Sequence, residues 1–364
     1  KLAELQGAEL KHEIAIDQFD TSDLIPLGEL KSDGICRVND DRITFTHDLF
    51  GDWARLKILR SHKDNLKSYI NGRLDSPLWN SAFKYYSLGV LDTVSSVANW
   101  EKLFDNFSDN VSAQNLILES ILFAPNCYEL LDSLKEKIYQ NEGDLFKRII
   151  TRFLHVMTYP DPMVLFFSKS SSEFTDIEAA AFNRIPVLLY WIPVLQFIIT
   201  FREEVLKFSK KHILIIADIW LRKTLPGTIL RKELAKIAIE SAEDLIAFTM
   251  SKGINIADNS AQALRYRAGI AAYNEFPERV SNLVLIAAGK KKPSNEIQSK
   301  ILMLNKEYDE WNKKHKKEKK KRDLRSYPPS LAELGTVMTK PWKIGPKFHK
   351  NSAFQEMCMN SDEL

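Results

Sequence analysis

The amino-acid sequence predicts a mainly α-helical protein. Apolar residues recur at helical spacing through most of the 364 residues, whereas strand-like alternation is confined to a few short runs. The chain contains only 13 glycines. Hydrophobic residues make up 45% and charged residues 27%, which is the composition of an ordinary folded protein and excludes a disordered one. A chain of this length has room for two or three modules.

The first 60 residues predict two helices, a β-hairpin and a third helix. The two helices are expected near Lys1–Leu10 and Leu24–Lys31. Two short strands follow, Gly34–Val38 and Arg42–Thr46, and the polar run Asn39–Asp41 forms the turn between them. After the second strand the pattern changes to the helical period. The apolar residues expected on one side of this helix are Leu49, Trp53, Leu56 and Leu59.

The corner between the second strand and the third helix carries the main candidate residue. Asp48 is predicted to cap the helix, because the first turn exposes unpaired N–H groups and the positive end of the helix dipole. His47 is therefore expected on a rigid support between strand and helix. Two roles remain open for it from the residues alone. It caps its own helix and packs on the hairpin, or it contacts a ligand.

Residues 61–292 predict a succession of amphipathic helices with short breaks. The predicted helices span 76–98, 112–123, 127–139, 144–157, 211–223, 228–250, 260–276 and 277–288. The breaks fall at Pro125, at 141–143, at 160–162, at 226–227 and at Gly253. No crisp sequence repeat emerges. Helix pairs of irregular length favour an irregular α-solenoid of the HEAT-like or TPR-like kind.

The longest uncharged run is Ile185–Phe201, which has seventeen residues between Arg184 and Arg202. A membrane-spanning helix needs about 20 apolar residues, and this run is shorter. Two prolines, Pro186 and Pro193, interrupt it as well. We therefore predict a buried core helix and no membrane contact.

The net charge of +3 conceals one basic segment. Residues 313–325 carry nine Lys or Arg and two acids, and the rest of the chain holds 42 basic and 46 acidic residues. The bland interpretation is a solvated linker, because runs of like charge are often disordered. The alternative is contact with nucleic-acid phosphates or another partner. The residues that would make this contact are Lys316, Lys317, Lys319, Lys320 and Lys321.

Motifs for catalysis and metal binding are absent from the sequence. No G-x-x-x-x-G-K-[ST] phosphate loop occurs, so this chain alone is not expected to hydrolyse a nucleotide. Neither the three cysteines nor the scattered histidines show the spacing of a zinc site. Widely separated cysteines also favour a reducing compartment, and we predict a cytoplasmic location.

The hairpin and the helix after it resemble the last part of a winged-helix domain. The phrase FTHDLFGDWARL, residues 45–56, is similar to the Met-His-Asp motif that closes the nucleotide-binding module of STAND ATPases. These are switch proteins that include immune receptors and bacterial antiviral proteins. His47 and Asp48 match the motif, and Thr46 stands where the family often has Met.

Later segments resemble the helical region downstream of the ATPase in bacterial antiviral STAND proteins. They are YWIPVLQFI, IADIWLRKTLPGTILRKELAKIAIESA and YNEFPERVSNLVLIAAGKKKP, and PWKIGPKFHKNSAFQEMCMNSDEL resembles the junction after them. The likeness touches most of the chain, although residues 61–158 match only as generic helices.

The resemblance implies a modular organisation. It implies a winged-helix remnant over residues 1–60, a helical sensor domain over 61–292, a helix and basic linker over 293–327 and the start of a further helical module over 328–364. ATP or ADP, with Mg²⁺, would be bound by modules upstream of Lys1, since the chain is expected to be a segment of a larger ATP-hydrolysing protein. His47 would contact the phosphates of ADP in the resting state.

The resemblance also implies a function in defence. The helical region would recognise a foreign protein, such as a phage protein, and the parent protein would oligomerise on activation. Two other functions stay open. One is a HEAT-like protein-interaction scaffold without a nucleotide switch. The other is a nucleic-acid-binding adaptor that acts through the basic segment.

Overall fold

The structure, a computed structural model, describes residues 1–92, 96–162, 184–252 and 260–314. In this part of the chain the protein is mainly α-helical, as the sequence predicts. Packing divides the chain into two compact units. The first comprises Lys1–Thr158 with Val187–Phe197, and the second comprises Tyr159–Pro186 with Ile198–Leu364. No boundary between these units falls at residue 60, where the predicted winged-helix remnant ends.

The first unit begins with a helix–sheet region and continues as helices. The helices are α1 (Leu2–Glu9), α2 (Thr21–Ser32), α3 (Asp48–Ser61), α4 (Leu66–Ile70), α5 (Pro77–Leu91), α6 (Ser96–Asn106), α7 (Val111–Phe123), α8 (Cys127–Ser133) and α9 (Lys135–Val156). The strands are β1 (Ile14–Ala15), β2 (Cys36–Asn39) and β3 (Arg42–Phe45), which form an antiparallel sheet in the order β1-β3-β2. Short 3₁₀ turns occur at Ile16–Gln18 and Lys63–Asn65.

The predicted hairpin is confirmed, with one addition. Val38 pairs with Ile43 across the hairpin, and Asp40 turns the chain with a φ of 54°. Asp tolerates this left-handed conformation because its short side chain can hydrogen-bond to nearby backbone. The sequence analysis missed β1, which pairs with β3 through Ile14 and Ala15. Two residues are too few to show alternation.

The sheet covers a small apolar core. Its buried members are Leu2, Ile14, Phe19, Cys36 and Ile43. Burial raises the pKa of the Cys36 thiol, so this side chain behaves as a small apolar group and not as a nucleophile. The first helix, the sheet and the approach to α2 are thereby held together by one cluster.

Tryptophans fix the helices of the first unit. Trp79 of α5 is 1% exposed and lies against Gly7 of α1, where a Cβ atom would come within 2.3 Å of the indole Nε1. Trp100 of α6 is fully buried, and its Nε1 donates to the Ile117 carbonyl and to Ser120 Oγ, both at 3.2 Å. The Trp100 ring thus fills apolar space while its N–H stays paired.

Several predicted helix limits need correction. The predicted helix 76–98 is two helices, α5 and α6, with residues 93–95 outside the described part. The helix predicted to start at residue 211 is the second part of a longer helix, which starts at Arg202 and is kinked at Ser209 with φ −133° and ψ 23°. The break predicted at 141–143 is confirmed, because Asn141, Glu142 and Gly143 all have positive φ inside α9.

The uncharged run 185–201 forms the end of a strand and a helix. Strand β5 (Arg184–Pro186) pairs with β4 (Thr158–Pro160), and α10 (Leu188–Thr200) follows. Trp191 and Leu195 of α10 are fully buried, and the Trp191 Nε1 donates to the Met157 carbonyl at 2.6 Å.

The prediction of a buried core helix holds for only one face of α10. Leu189 is 74% exposed, and Leu188 and Ile192 are exposed as well. The sequence gives only a weak sign of this, because the run carries no charge and only two of its exposed positions, Gln196 and Thr200, are polar. Among the helices that the structure describes, none combines the length and the apolar character that crossing a bilayer requires.

The second unit is built around a long central helix. Its helices are α11 (Arg202–Lys223), α12 (Ile229–Lys252), α13 (Ser260–Ala271), α14 (Pro277–Ala287) and α15 (Asn295–Lys314). Its apolar cluster includes Leu245, Ile246, Leu283, Ile286 and Ile297. Gly269 allows α13 to approach α12 closely, since a Cβ atom there would lie 2.5 Å from the Ala242 Cβ.

Buried charges on α12 are paired with the helices around it. Glu243 is 4% exposed and accepts two hydrogen bonds from Arg279, at 2.7 and 2.8 Å. The bond to Glu243 raises the pKa of Arg279. Lys300 of α15 bonds to Asp244 at 2.7 Å. The fully buried Arg231 donates to Glu275 and to the Thr224 carbonyl.

Candidate functional site

The corner between β3 and α3 is fixed by Thr46. Its backbone N–H donates to the Ile35 carbonyl at 2.9 Å, and its hydroxyl donates to the Gly34 carbonyl at 2.7 Å. These bonds join the end of β3 to the residues that precede β2. Thr46 therefore holds the chain in place immediately before the candidate residue.

His47 is the N-cap of α3. Its backbone is extended, with φ −142° and ψ 138°, and its Nδ1 accepts a hydrogen bond from the Leu49 N–H at 3.1 Å. A neutral imidazole that accepts at Nδ1 carries its proton on Nε2. The side chain is exposed, so Nε2–H is the ring atom that can donate to a ligand.

The prediction that Asp48 caps the helix is wrong. The capping side chain is that of His47, and Asp48 is the first residue inside the helix. Histidine is not among the common capping residues, which is why the sequence pattern assigned the cap to the neighbouring carboxylate. Asp48 still lies in the first turn, where its charge is favourable toward the helix dipole.

The side of α3 that packs inward is only partly the one predicted, since Leu59 is buried but Leu49 and Trp53 are exposed. The buried residues are Gly51, Arg55 and Leu59, whereas Trp53 is 55% exposed. The Gly51 position explains the difference, because a Cβ atom there would come within 3.2 Å of the Phe45 ring. The helix thus rests on β3 through a glycine.

An exposed aromatic row runs from the corner along α3. The ring centroids of His47 and Phe50 are 6.4 Å apart, and those of Phe50 and Trp53 are 5.9 Å apart. Both pairs meet edge to face, which is a favourable aromatic geometry. Leu49 is also 37% exposed. His47 therefore stands at the edge of an apolar, solvent-facing surface.

A buried polar cluster lies on the inner side of the same helix. Arg55 is 3% exposed and donates to Asp52 at 3.1 Å and to Gln6 at 3.3 Å. Gln6 in turn donates to the His12 carbonyl at 2.5 Å. These groups line a cavity of about 30 Å³, together with Asp48. A cavity of that size holds about one water molecule.

Burial controls the charges in this cluster. Loss of hydration raises the pKa of the Asp52 carboxyl, an effect that the Arg55 charge opposes and the Asp48 charge reinforces. Loss of hydration likewise lowers the pKa of Arg55. Each member thus depends on the other for keeping its charge. This cluster was not predicted from the sequence. The sequence does carry one sign of it, which is that Arg55 lies at helical spacing from Gly51 and Leu59.

The remaining sequence candidates are the five lysines of the basic segment. Lys316, Lys317, Lys319, Lys320 and Lys321 lie outside the described residues. In the described ranges, no group of three or more His, Cys, Asp or Glu side chains has the arrangement of a metal site. The corner thus offers one exposed ring donor, one first-turn carboxylate and an aromatic row.

Comparisons with known proteins add no relative. The chain matches no protein-family model, and a search of curated proteins gives no match. The family resemblance therefore rests on the residues of the chain itself.

Proposed function

We propose that this chain is the winged-helix end and sensor region of a STAND-type ATPase that acts in bacterial antiphage defence in the cytoplasm. The helical region recognises a foreign protein, such as a phage protein, and this recognition releases a nucleotide-controlled resting state. The parent protein then oligomerises. One observation carries the proposal. It is the exposed His47, whose Nδ1 is engaged in the helix cap and whose Nε2–H is left to donate.

The chemistry at the corner suits a diphosphate. A ring N–H that donates to an anionic oxygen makes a charge-assisted hydrogen bond, worth about 1.5–3 kcal/mol. Thr46 and the cap bond hold the ring in place, so little side-chain freedom is lost on binding. In this proposal ADP, ATP and Mg²⁺ are held by modules upstream of Lys1, and His47 contributes the contact that distinguishes the resting state.

The coding sequence ahead of Lys1 provides the first test. A phosphate loop after a strand, followed by a strand that ends in an acidic residue, is expected within a few hundred codons. These elements would supply the backbone N–H groups and the Mg²⁺ ligand that nucleotide hydrolysis requires. If neither is encoded, the chain is better described as a HEAT-like interaction scaffold without a nucleotide switch.

The second test separates the ligand contact of His47 from its cap. His47→Ser keeps a capping oxygen, because serine is among the preferred N-cap residues, but it removes the imidazole. In the complete protein we expect ADP to leave about tenfold to a hundredfold faster, and effector output to rise without the trigger. The melting temperature of the complete protein should stay within about 1–2 °C of the wild type, since the cap is retained.

The matched control is Asp48→Asn at the adjacent exposed position. It removes a first-turn charge worth about 0.3–1 kcal/mol to the helix and leaves the ring in place, so ADP release should be unchanged. ADP release is followed with a fluorescent ADP analogue, and stability by thermal melting. If His47→Ser releases ADP as slowly as the wild type and gives no effector output without the trigger, His47 is only a cap and the switch proposal fails.

A further inference from the structure

The first unit contains an open groove of about 950 Å³. It lies between the end of α3, the 3₁₀ turn with α4, and helices α5 and α6. Its floor is apolar and buried, formed by Leu66, Leu103 and Phe107. Its rim is polar and exposed. We call this feature the basic groove.

The charge of the basic groove is strongly one-sided. Its lining contains four cationic side chains, Arg60, Lys63, Lys67 and Lys102, and one carboxylate, Asp64. Lys67 is paired with Asp109 at 2.8 Å, but both side chains are about half exposed or more, so that this pair is weak. Within the described residues, Lys63 and Lys102 have no acidic partner. These two charges are therefore available to an anionic ligand.

Side-chain amides are the second feature of the lining. Four asparagines contribute to it, Asn65, Asn71, Asn99 and Asn106. A carboxamide offers an acceptor oxygen and two N–H donors, and this set matches the N–H and C=O groups of an extended peptide backbone. The Asn65 amide oxygen lies 3.3 Å from His62 Nδ1, a contact that fixes the Asn65 side chain. Cations and amides thus line one groove together.

We propose that the basic groove binds an extended acidic peptide segment of a partner protein. The lysines and Arg60 would pair with its carboxylates, and the asparagines with its backbone. The lining differs from that of a small-molecule site, which is mostly apolar and encloses its ligand. It also differs from a single-strand nucleic-acid site, which presents exposed aromatic rings for base stacking. Here Phe107 is 2% exposed and Tyr86 is half-buried.

This proposal is independent of the nucleotide switch. The basic groove lies at the C-terminal end of α3, and its lining does not include His47, Asp48 or any other residue of the corner. An experiment on peptide binding therefore needs no nucleotide. Failure of one proposal leaves the other standing.

The test is peptide binding by the 364-residue chain and its charge-reversed variants. The probe is a fluorescein-labelled ten-residue peptide in which Glu alternates with Ala, measured by anisotropy. The groove variant is Lys63→Glu with Lys102→Glu. The matched control is Lys31→Glu with Lys57→Glu, which makes the same change of net charge at exposed lysines outside the groove. Thermal melting of each variant verifies folding.

We expect the Glu peptide to bind the wild type and the control equally, and the groove variant at least tenfold more weakly. Replacing Glu by Gln in the peptide should abolish binding, because the carboxylates are then missing. Methylating alternate backbone nitrogens of the Glu peptide should weaken its binding several-fold, since the asparagine side chains lose the backbone N–H groups that they would pair with. Replacing Asn71 and Asn106 by Ala should weaken binding of the unmethylated peptide. It should change binding of the methylated peptide little.

Three outcomes overturn the proposal. The first is that the Glu peptide does not bind the wild type at all. The second is that the groove variant and the control lose affinity alike, which indicates attraction by net charge only. The third is that a ten-nucleotide deoxythymidine strand binds more tightly than the peptide and is lost selectively in the groove variant. That result assigns the basic groove to nucleic acid.

Discussion

At the scale of single residues, buried polar side chains in this protein are held by specific partners. Arg55 depends on Asp52 and Gln6, and Glu243 depends on Arg279 and, at 3.5 Å, on Lys300. Removing one member of such a pair leaves an uncompensated buried charge, which costs about 3–5 kcal/mol. Substituting these residues is therefore expected to destabilise the protein as strongly as substitutions in the apolar core.

Tyr69 shows the same dependence and leads to a prediction about alkaline stability. Its hydroxyl donates to Glu4 at 2.9 Å. Burial, reinforced by Glu4, raises the pKa of Tyr69 to about 12 from the model-peptide value of 10.0. The folded state therefore keeps this proton where the unfolded state loses it. Stability must fall as pH rises from about 10 to about 12, because the folded state binds more protons there.

Tyr69→Phe should remove this contribution. The free energy of unfolding of the variant, measured by urea denaturation at pH 9 and at pH 11.5, should decrease less over that interval than that of the wild type. Glu4→Gln is the matched control, since it removes the accepting carboxylate and keeps the phenol. Its Tyr69 should ionise at lower pH in an ultraviolet titration. An unchanged titration in Glu4→Gln would contradict the contribution assigned to Glu4 and leave burial as the cause.

The corner illustrates how much a sequence can reveal about single residues. The hairpin turn and the change to helical period place His47 between strand and helix correctly. The assignment of the cap to Asp48 failed, because capping depends on which side chain reaches the Leu49 N–H, and His47 Nδ1 does so. The spacing of Arg55 from Gly51 and Leu59 indicates that it lies on the inner side, but its partner Gln6 could not be predicted, since it lies 49 residues away in the chain.

At the scale of elements, the sequence predicted the existence of helices better than their buried faces. Helix α3 has apolar residues on two sides, and the side that packs inward is the one where Gly51 permits close contact with β3. Trp53, the largest apolar residue of the predicted face, stays 55% exposed. Which face is buried depends on neighbours that the local pattern does not contain.

Helix α10 allows this difference between faces to be measured. Leu195 is fully buried, with 0% exposure, whereas Leu189 is 74% exposed. Leu195→Ala should cost about 2–5 kcal/mol, because it leaves a cavity in the core. Leu189→Ala makes the identical chemical change at the surface and should alter stability by less than about 0.5 kcal/mol. Chemical denaturation of both variants provides the comparison.

An equal loss of stability in the two variants would contradict this assignment of faces. It would mean that both sides of α10 are packed. The sequence predicts that result, because the whole run 185–201 is expected to be core.

At the scale of the whole molecule, sequence modules and packing units are different divisions. The predicted modules follow the family resemblance, with boundaries near residues 60, 292 and 327. Packing instead joins residues 1–158 with Val187–Phe197, so the segment predicted as the sensor contributes to both compact units. A boundary set by packing depends on contacts between distant parts of the chain, such as Trp191 with Met157. Periodicity along the sequence carries no information about them.

The uneven distribution of charge leads to the last prediction. The basic segment holds nine Lys or Arg and two acids, and the rest of the chain has more acids than bases. Replacing Lys316, Lys317, Lys319, Lys320 and Lys321 by Gln should leave the melting temperature unchanged, because a run of like charge packs little. If these lysines contact nucleic-acid phosphates, the wild type should bind DNA with a steep salt dependence. The slope of log K against log salt should then become shallower by up to about 4 in the variant.

The groove variant is the control that shows whether the location of the removed positive charges matters for DNA binding. Lys63→Glu with Lys102→Glu changes the net charge by −4 and the five Gln substitutions change it by −5, so a general attraction to DNA would weaken similarly in both. Loss of DNA binding in the five-lysine variant alone assigns nucleic-acid contact to the basic segment. Equal DNA binding by the wild type and the five-lysine variant removes the segment from the functional residues and leaves the bland interpretation, a solvated linker.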